Sequence, residues 1–188
     1  MTTAAPSVVL LGVDGSGKTT QAGLLVERLQ AEGTVSICYT RSAGVDVARH
    51  TVSERVALAA TAAQRIGDSQ REAAIRGAVW VADRYADCHL AVDALSPTRC
   101  PDLVASALSA LSRPTLTLWL DLDPEVARGR ILRRGYDEES LEHLIALRDA
   151  YLALGAASNY RHVPADGTPD EVHVRVWQAF TAVARATA

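Results

Sequence analysis

Short apolar runs alternate along the chain with longer stretches in which apolar residues recur at helical spacing. The first run, residues 7–12, is a continuous stretch of valine and leucine, which is typical of a strand buried on both faces of a parallel sheet. Similar runs predict strands at 35–39, 78–82, 115–120 and 160–163. The intervening stretches predict helices at 19–31, 47–65, 69–75, 101–111, 124–133, 139–154 and 169–184.

This alternation predicts the α/β fold class, as a three-layer sandwich with helices on both faces of a five-stranded parallel sheet. No repeat or linker interrupts the pattern, so we expect one domain over residues 1–188. Ligands of such sheets bind at the carboxyl ends of the strands. We therefore expect the chemistry in the loops that follow Leu11, Tyr39, Ala82 and Leu120.

The composition narrows the class of protein further. With 48% hydrophobic residues and a net charge of −3, the 188-residue chain is typical of a globular protein that does not bind nucleic acid polymers. No apolar run is long enough to cross a membrane, and no basic residue precedes the first run, which argues against a secretory signal. Cys38, Cys88 and Cys100 form no C-x-x-C pair, which favours the reducing cytoplasm.

The loop after the first predicted strand reads GVDGSGKT, residues 12–19, and matches G-x-x-x-x-G-K-[ST] between a strand and a helix. Its glycines, Gly12, Gly15 and Gly17, let backbone N–H groups wrap around phosphate oxygens. Lys18 can reach the β- and γ-phosphates, and the Thr19 hydroxyl can bind Mg²⁺. The motif predicts a P-loop NTPase fold that binds ATP or a similar nucleotide.

Nucleotide binding leaves three classes open: a small-molecule kinase, a regulatory GTPase, and an ATPase motor or switch. Arginine accounts for 18 of the 19 basic residues, so Lys18 is the one lysine of the chain. A GTPase reads its base with N-K-x-D, which this chain therefore cannot contain. A motor usually needs a larger chain and an arginine from a neighbouring subunit, so we favour the kinase and keep the switch as the alternative.

Charged side chains follow the predicted strands or lie inside the loop. Arg41 and Arg84 come just after two strands, at the edge where an acceptor's phosphate would bind. Asp83 ends its strand where a carboxylate can hold the metal. Asp14 lies inside the loop, near the metal or a hydroxyl of the acceptor. Asp123, which precedes Pro124, more simply caps the next helix.

A cluster of arginines lies in and after the helix predicted at 124–133. Arg130, Arg133 and Arg134 are three and four residues apart, so their charges repel unless an anion neutralises them. A lid at about 130–139 that closes on ATP would supply this anion. The alternative is pairing with the nearby acidic residues Asp137, Glu138 and Glu139.

Several segments together resemble the thymidylate kinase family, in the branch that thymidylate kinases share with deoxynucleoside kinases. They are GVDGSGKTTQ (12–21), VADRY (81–85), LWLDLDPEVARGRILRR (118–134) and R-D-A-Y (148–151). The resemblance implies ATP- and Mg²⁺-dependent phosphoryl transfer to a nucleoside monophosphate, with dTMP the default acceptor. It also implies a homodimer.

The resemblance assigns roles residue by residue. For ATP it implies Gly12, Asp14, Gly15, Ser16, Gly17, Lys18, Thr19, Thr20, Arg130 and Arg133. For catalysis it implies Lys18, Asp14, Arg84, Arg130 and Arg134, and for the metal Thr19 and Asp83. For the acceptor it implies Asp14, Arg41, Thr61, Arg65, Arg84, Tyr85 and His89, although Arg65 could be a solvated surface residue and His89 a packed one.

The chain departs from the family pattern where the base would be read. Thr61 stands four residues before Arg65, where the family usually has a phenylalanine that stacks on thymine. Ala86-Asp87-Cys88-His89 and Ser42-Ala43-Gly44 replace further family segments. The acceptor could therefore be another nucleotide, a nucleoside or another small phosphorylated metabolite.

Overall fold

The computed structural model describes residues 6–40, 50–135 and 139–186, with side chains described as far as residue 184. Within them the chain forms one parallel sheet of five strands in the order β2-β3-β1-β4-β5. The strands are β1 (Ser7–Leu11), β2 (Ser36–Thr40), β3 (Val79–Asp83), β4 (Leu116–Asp121) and β5 (Arg161–Pro164). All five predicted strands are confirmed, each to within one residue at either end.

The described helices cover both faces of this sheet. They are α1 (Lys18–Ala31), α2 (Val52–Arg76), α3 (Ala86–Ala94), α4 (Pro101–Leu108), α5 (Pro124–Arg134), α6 (Leu141–Ser158) and α7 (Pro169–Ala186). Helices α1 and α7 pack together against the strands, while α2, α3, α4 and α6 pack with one another. The predicted α/β sandwich is confirmed. None of the described helices is long and apolar enough to span a lipid bilayer.

Two helix predictions were wrong. The break predicted between 65 and 69 does not exist, because α2 runs unbroken through Gly67. A glycine inside a helix costs about 1 kcal/mol relative to alanine, but the buried stripe that includes Ala59, Ala62 and Ile66 holds α2 against the core. Helix α3 was not predicted, since buried residues occur on several of its sides and leave no clear apolar stripe.

The centre of the core is β1, where Val8, Val9, Leu10 and Leu11 are all fully buried. Strand β1 pairs with β3 on one side and β4 on the other, with Leu10 opposite both Asp83 and Leu118. Because all the strands are parallel, their carboxyl ends meet at one edge of the sheet. The loops that follow Leu11, Ala82 and Leu120 therefore lie side by side, whereas the loop predicted after Tyr39 lies outside the described residues.

Candidate phosphate-transfer site

The loop from residue 12 to 17 carries the chain from β1 into α1. Gly12, with φ of 155°, leaves no room for a Cβ, which would lie 2.5 Å from the Ser16 Oγ and 2.7 Å from the Leu120 carbonyl oxygen. A Cβ on Gly15 would lie 2.6 Å from the Ala127 carbonyl oxygen on α5. Gly17 caps α1 with φ of 91°. The loop therefore depends on glycine, and it ends at the N-terminus of α1, where backbone N–H groups favour a phosphate.

Lys18 is the first residue of α1 and is buried, with 5% of its surface exposed. Its Nζ donates to the Val13 carbonyl oxygen at 2.9 Å and lies 3.5 Å from the Asp14 Oδ1. Burial, together with the nearby Arg84, lowers the pKa of Lys18, although Asp14 and Asp83 oppose this shift. The loop thus holds its ammonium group under the position predicted for the phosphates.

Asp14 lies between two cations. It pairs with Lys18 and accepts a short hydrogen bond from the Arg84 Nη2. Burial would raise the pKa of Asp14, but Lys18 and Arg84 outweigh burial and hold the pKa below its usual value. Asp14 is therefore a carboxylate at neutral pH, and it holds the Arg84 guanidinium beside the loop.

Arg84 adopts an unusual backbone conformation, with φ of 85°. A non-glycine residue in the left-handed region costs about 1–3 kcal/mol, and such residues cluster at functional sites. The backbone N–H of Arg84 continues the sheet by donating to the Leu10 carbonyl oxygen at 3.2 Å, while its side chain reaches the loop. The predicted position of Arg84 at the end of β3, beside the loop, is confirmed.

Thr19 and Asp83 form the second polar pair of the site. The Thr19 hydroxyl donates to the Asp83 Oδ2 at 2.5 Å. Asp83 is 4% exposed, and its Oδ1 has no hydrogen-bond partner among the described residues. A hydroxyl beside a carboxylate with one unpaired oxygen fits Mg²⁺, which typically takes one or two carboxylates and completes its shell with water and phosphate oxygens. The described residues contain no cluster of three or more His, Cys, Asp or Glu that could hold a metal alone.

Two further hydroxyls, those of Ser16 and Thr20, come just before and just after Lys18 and Thr19 in the chain. Ser16 is buried, and its Oγ has no partner in the described parts of the chain. Thr20 is exposed on the first turn of α1. Both residues lie where the sequence predicted contact with ATP.

Arg130 connects α5 to two loops at the same edge of the sheet. Its guanidinium donates to the carbonyl oxygens of Gly15 at 3.4 Å and of Ala165 and Gly167 at 3.2 Å each. Arg130 thus fastens the phosphate-binding loop to the loop that follows β5. Arg133 and Arg134 are exposed in the last turn of α5.

The alternative prediction, that these arginines pair with Asp137, Glu138 and Glu139, can be followed only in part. Asp137 and Glu138 lie outside the described residues, whereas Glu139 lies 3.7 Å from His143 on α6. The cap predicted at Asp123 is confirmed, because its carboxylate accepts from the Glu125 N–H at 2.8 Å.

The residues predicted to bind the acceptor are more dispersed. Arg41 lies outside the described residues. Thr61 and Arg65 are exposed on α2, and the Thr61 hydroxyl donates to the Ala57 carbonyl oxygen at 2.9 Å. Tyr85 is buried, and its hydroxyl donates to the Ser112 carbonyl oxygen. The hydrogen bonds just described for Thr61 and Tyr85 lead to Ala57 and Ser112, and not to Asp14 or Arg84.

His89, the remaining predicted acceptor residue, is 5% exposed on α3. Its contact with an acceptor stays a prediction.

Sequence reasoning gave no role to Tyr151 of α6. It is 1% exposed, and its ring lies 4.9 Å from that of Trp119. Burial and the neighbouring Cys88 raise its pKa well above the usual value, while Arg84 opposes this shift. Tyr151 is thus a buried neighbour of Cys88 and Arg84. It stands in the R-D-A-Y segment, which carried the family resemblance without a stated function.

A glycine loop that runs from a central parallel strand into a helix, with a buried lysine and a Thr–Asp pair beside it, defines the phosphate-transfer site of a P-loop kinase. The family model for thymidylate kinase matches residues 11–176, which span all of these elements except the first residues of β1 and the last turns of α7. The chain belongs to the thymidylate kinase family, whose members are nucleoside monophosphate kinases.

Individual relatives agree along most of their length. A thymidylate kinase from a Synechococcus strain is 33% identical, over 90% of this chain and 91% of its own. A thymidylate kinase from Deinococcus radiodurans is 31% identical, over 93% and 95%. A probable thymidylate kinase from Pyrobaculum aerophilum is 30% identical, over 95% and 97%. The similarity therefore runs along at least nine-tenths of the chain in each case.

Proposed function

We propose that this protein transfers the γ-phosphoryl group of ATP to a nucleoside monophosphate, with Mg²⁺, and that dTMP is its acceptor. The observation that carries the proposal is the triple contact of Lys18, Asp14 and Arg84 beside the glycine loop. Asp14 contacts both cations, which supports a role for Lys18 toward the donor and for Arg84 toward the acceptor. The family and the named relatives supply the acceptor class.

On the donor side, the loop binds and orients the phosphates of ATP. Backbone N–H groups of residues 12–19 and the N-terminus of α1 face the phosphate oxygens, and Lys18 adds positive charge where charge develops in the transition state. Arg130 keeps this loop joined to the loop after β5. We propose that Arg133 and Arg134 come from a lid at about 130–139 and approach the phosphates when ATP is bound.

On the acceptor side, Arg84 binds the monophosphate of the acceptor. A guanidinium can donate two parallel hydrogen bonds to a phosphate, which fixes the direction of the attacking oxygen. Asp14 holds Arg84 in place and keeps it from the donor phosphates until the acceptor arrives. Because the pKa of Asp14 is lowered by Lys18 and Arg84, in spite of its burial, this restraint persists throughout the neutral range.

Thr19 and Asp83 are the residues that would hold Mg²⁺. Bound there with ATP, the ion would neutralise charge on the β- and γ-phosphates. The unpaired Asp83 Oδ1 and the Thr19 hydroxyl supply the oxygen ligands that the ion prefers.

Acceptor choice is tested by steady-state kinetics over the common nucleoside monophosphates, with the parent nucleosides and several phosphorylated sugars alongside. We expect dTMP to give the highest kcat/KM. Thr61 leaves the thymine without the usual aromatic stack, which is worth about 0.5–1.5 kcal/mol, so we expect Thr61→Phe to raise the kcat/KM for dTMP by about 2–13-fold. A higher kcat/KM for a nucleoside than for its monophosphate would remove the role given to Arg84.

A switch or ATPase without an acceptor is the second candidate, because the donor side alone fits it as well. The kinase and the switch differ in whether the rate of ADP release depends on the acceptor. A kinase releases ADP in proportion to the acceptor supplied, whereas a switch hydrolyses ATP slowly and at a rate that no acceptor changes.

Two further proposals concern the oligomeric state and the location of the protein. We propose that the protein is a homodimer, which light scattering of the purified chain would measure directly. The free thiols of Cys38, Cys88 and Cys100 and the use of ATP favour a cytoplasmic location.

A further inference from the structure

A buried ion pair lies outside the phosphate-transfer site. Arg55, on the first turn of α2, and Asp93, near the end of α3, are 2% and 1% exposed. The Arg55 Nε donates to the Asp93 Oδ1 at 2.8 Å. Burying two charges is costly unless their remaining hydrogen-bonding groups are also satisfied, so the surroundings of this pair are informative.

The other hydrogen bonds of the pair reach backbone groups at the start of α2, in the connection from α3 to α4, and at the start of α4. The Arg55 Nη1 donates to the His50 carbonyl oxygen at 2.5 Å, just before the N-cap of α2. Its Nη2 donates to the Thr98 carbonyl oxygen at 2.5 Å, in the connection from α3 to α4. The Asp93 Oδ2 accepts from the N–H of Cys100, the N-cap of α4, at 2.8 Å. One guanidinium and one carboxylate therefore join α2, α3 and α4.

The two helices that meet at this pair carry predicted acceptor residues. On α2, Arg55 begins the buried stripe that continues through Ala59, and this stripe fixes which side of α2 presents Thr61 and Arg65 to solvent. On α3, Asp93 lies one turn after His89, and both are buried. A change at the pair would move α2 relative to α3. Among the described residues, the hydrogen bonds of the pair reach His50, Thr98 and Cys100, none of which belongs to α1, α5 or the loop after β5.

We propose that Arg55 and Asp93 are positioning residues for the acceptor, which set the affinity for the acceptor nucleotide without taking part in ATP binding. The inference rests on the proposed function, since it presumes that the nucleotide acceptor binds beside α2 and α3. It assigns neither residue a contact with the substrate. The pair acts by holding α2 and α3 at the spacing that the acceptor requires.

The test compares Arg55→Met, Asp93→Asn and the double variant Arg55→Met/Asp93→Leu with the wild type. We expect each single variant to raise the KM for dTMP roughly tenfold or more, because small displacements of positioning groups have effects of this size or larger. The KM for ATP should stay within about twofold by the same reasoning. Arg76→Met, which removes an exposed cation paired with Glu72 on the same helix, is the control and should change neither constant.

The double variant separates positioning from stability. It leaves no unpaired charge, so we expect its Tm to recover toward the wild-type value relative to the single variants. The KM for dTMP should remain raised, because the links to His50, Thr98 and Cys100 are lost. Recovery of both the Tm and the KM would mean that the pair is only structural, and would overturn the proposal.

Two further results are decisive. If Arg55→Met does not fold, Arg55→Lys retains the charge but not the planar fork, and it should show the same KM split to a smaller extent. Equal changes in both KM values, or no change in either, would contradict the inference. A wild-type protein that phosphorylates no acceptor would instead refute the proposed function, which is a different outcome of the same assay.

Discussion

At the scale of single residues, the site is organised around one lysine and the two charged groups nearest to it. The prediction that Lys18 serves the phosphates came from the loop motif and from its being the one lysine in the chain. The structure adds what the motif does not contain, namely the contact between Asp14 and Arg84 across seventy positions of sequence. No local pattern could predict it, because it depends on the left-handed backbone of Arg84.

Replacing Lys18 by Met should reduce kcat about 10²–10³-fold, as the loss of one preorganised transition-state donor does in other enzymes. The measurement is the rate of ADP formation at saturating ATP and acceptor. Arg76→Met, which removes an exposed cation, is the control and should retain wild-type turnover. Near-wild-type turnover of Lys18→Met would be inconsistent with the kinase assignment.

The single lysine also allows its titration to be observed alone. With ¹³C-labelled lysine, one side-chain Nζ-linked resonance should titrate below the ordinary lysine pKa of about 10.4, because burial and Arg84 lower the pKa of Lys18. Arg84→Gln should raise this pKa, and Asp14→Asn should lower it further, since Asp14 opposes the shift. A lower pKa of Lys18 in Arg84→Gln, or a higher one in Asp14→Asn, would contradict the electrostatic description of the site.

At the scale of helices and strands, strand positions were predictable because buried parallel strands are continuous apolar runs. Helix α3 was not predictable in this way. Cys88, His89 and Asp93 are buried on it together with apolar residues, so its buried positions do not form an apolar stripe in the sequence. The acceptor side was harder to predict than the donor side for a related reason. Three of its predicted residues, Thr61, Arg65 and His89, belong to α2 and α3, which meet at the Arg55–Asp93 contact between distant segments.

Asp121, at the end of β4, is hydrogen-bonded to two other elements of the fold. It accepts from Arg148 of α6 at 2.7 and 2.9 Å and from His162 of β5 at 2.9 Å. At pH 7, Asp121→Asn should lower the free energy of unfolding by about 1.5–3 kcal/mol, the usual size for hydrogen bonds to a charged group. Urea denaturation of the two proteins would measure the difference.

The same difference should depend on pH in a defined direction. The hydrogen bonds from Arg148 lower the pKa of Asp121 in the folded state, against the effect of burial. The stabilisation is therefore fully present above the unfolded pKa of about 3.9 and is lost as the pH falls through the lower folded pKa. A difference between wild type and Asp121→Asn that stays constant from pH 7 to pH 2 would contradict this account.

The proposed lid is an element-scale prediction as well. We expect backbone amides in 130–139 to exchange more slowly when a non-hydrolysable ATP analogue is bound, because the phosphates would attract the clustered guanidinium groups of Arg130, Arg133 and Arg134. Hydrogen exchange with and without the analogue measures this, with residues 176–184 of α7 as the internal control. Equal protection of 130–139 in both conditions would exclude a nucleotide-dependent lid there.

At the scale of the whole molecule, the parallel pairing brings the ends of β1 and β3 together at one edge of the sheet, where we propose that donor and acceptor meet. Membership of the thymidylate kinase family gives this arrangement its reaction class. The change from phenylalanine to Thr61 lies on the acceptor side alone. We therefore propose a kinase whose donor-side residues follow the family pattern and whose predicted base-reading positions depart from it.

The most direct test of this account is the stoichiometry of the reaction with ATP, Mg²⁺ and dTMP, measured by chromatographic separation of all nucleotides. The account predicts one dTDP formed for each ADP released, with a kcat/KM for dTMP above that for thymidine. In the Lys18→Met protein, both products should fall together by about 10²–10³-fold. Release of ADP without dTDP, at a rate that no nucleoside monophosphate changes, would contradict the central claim.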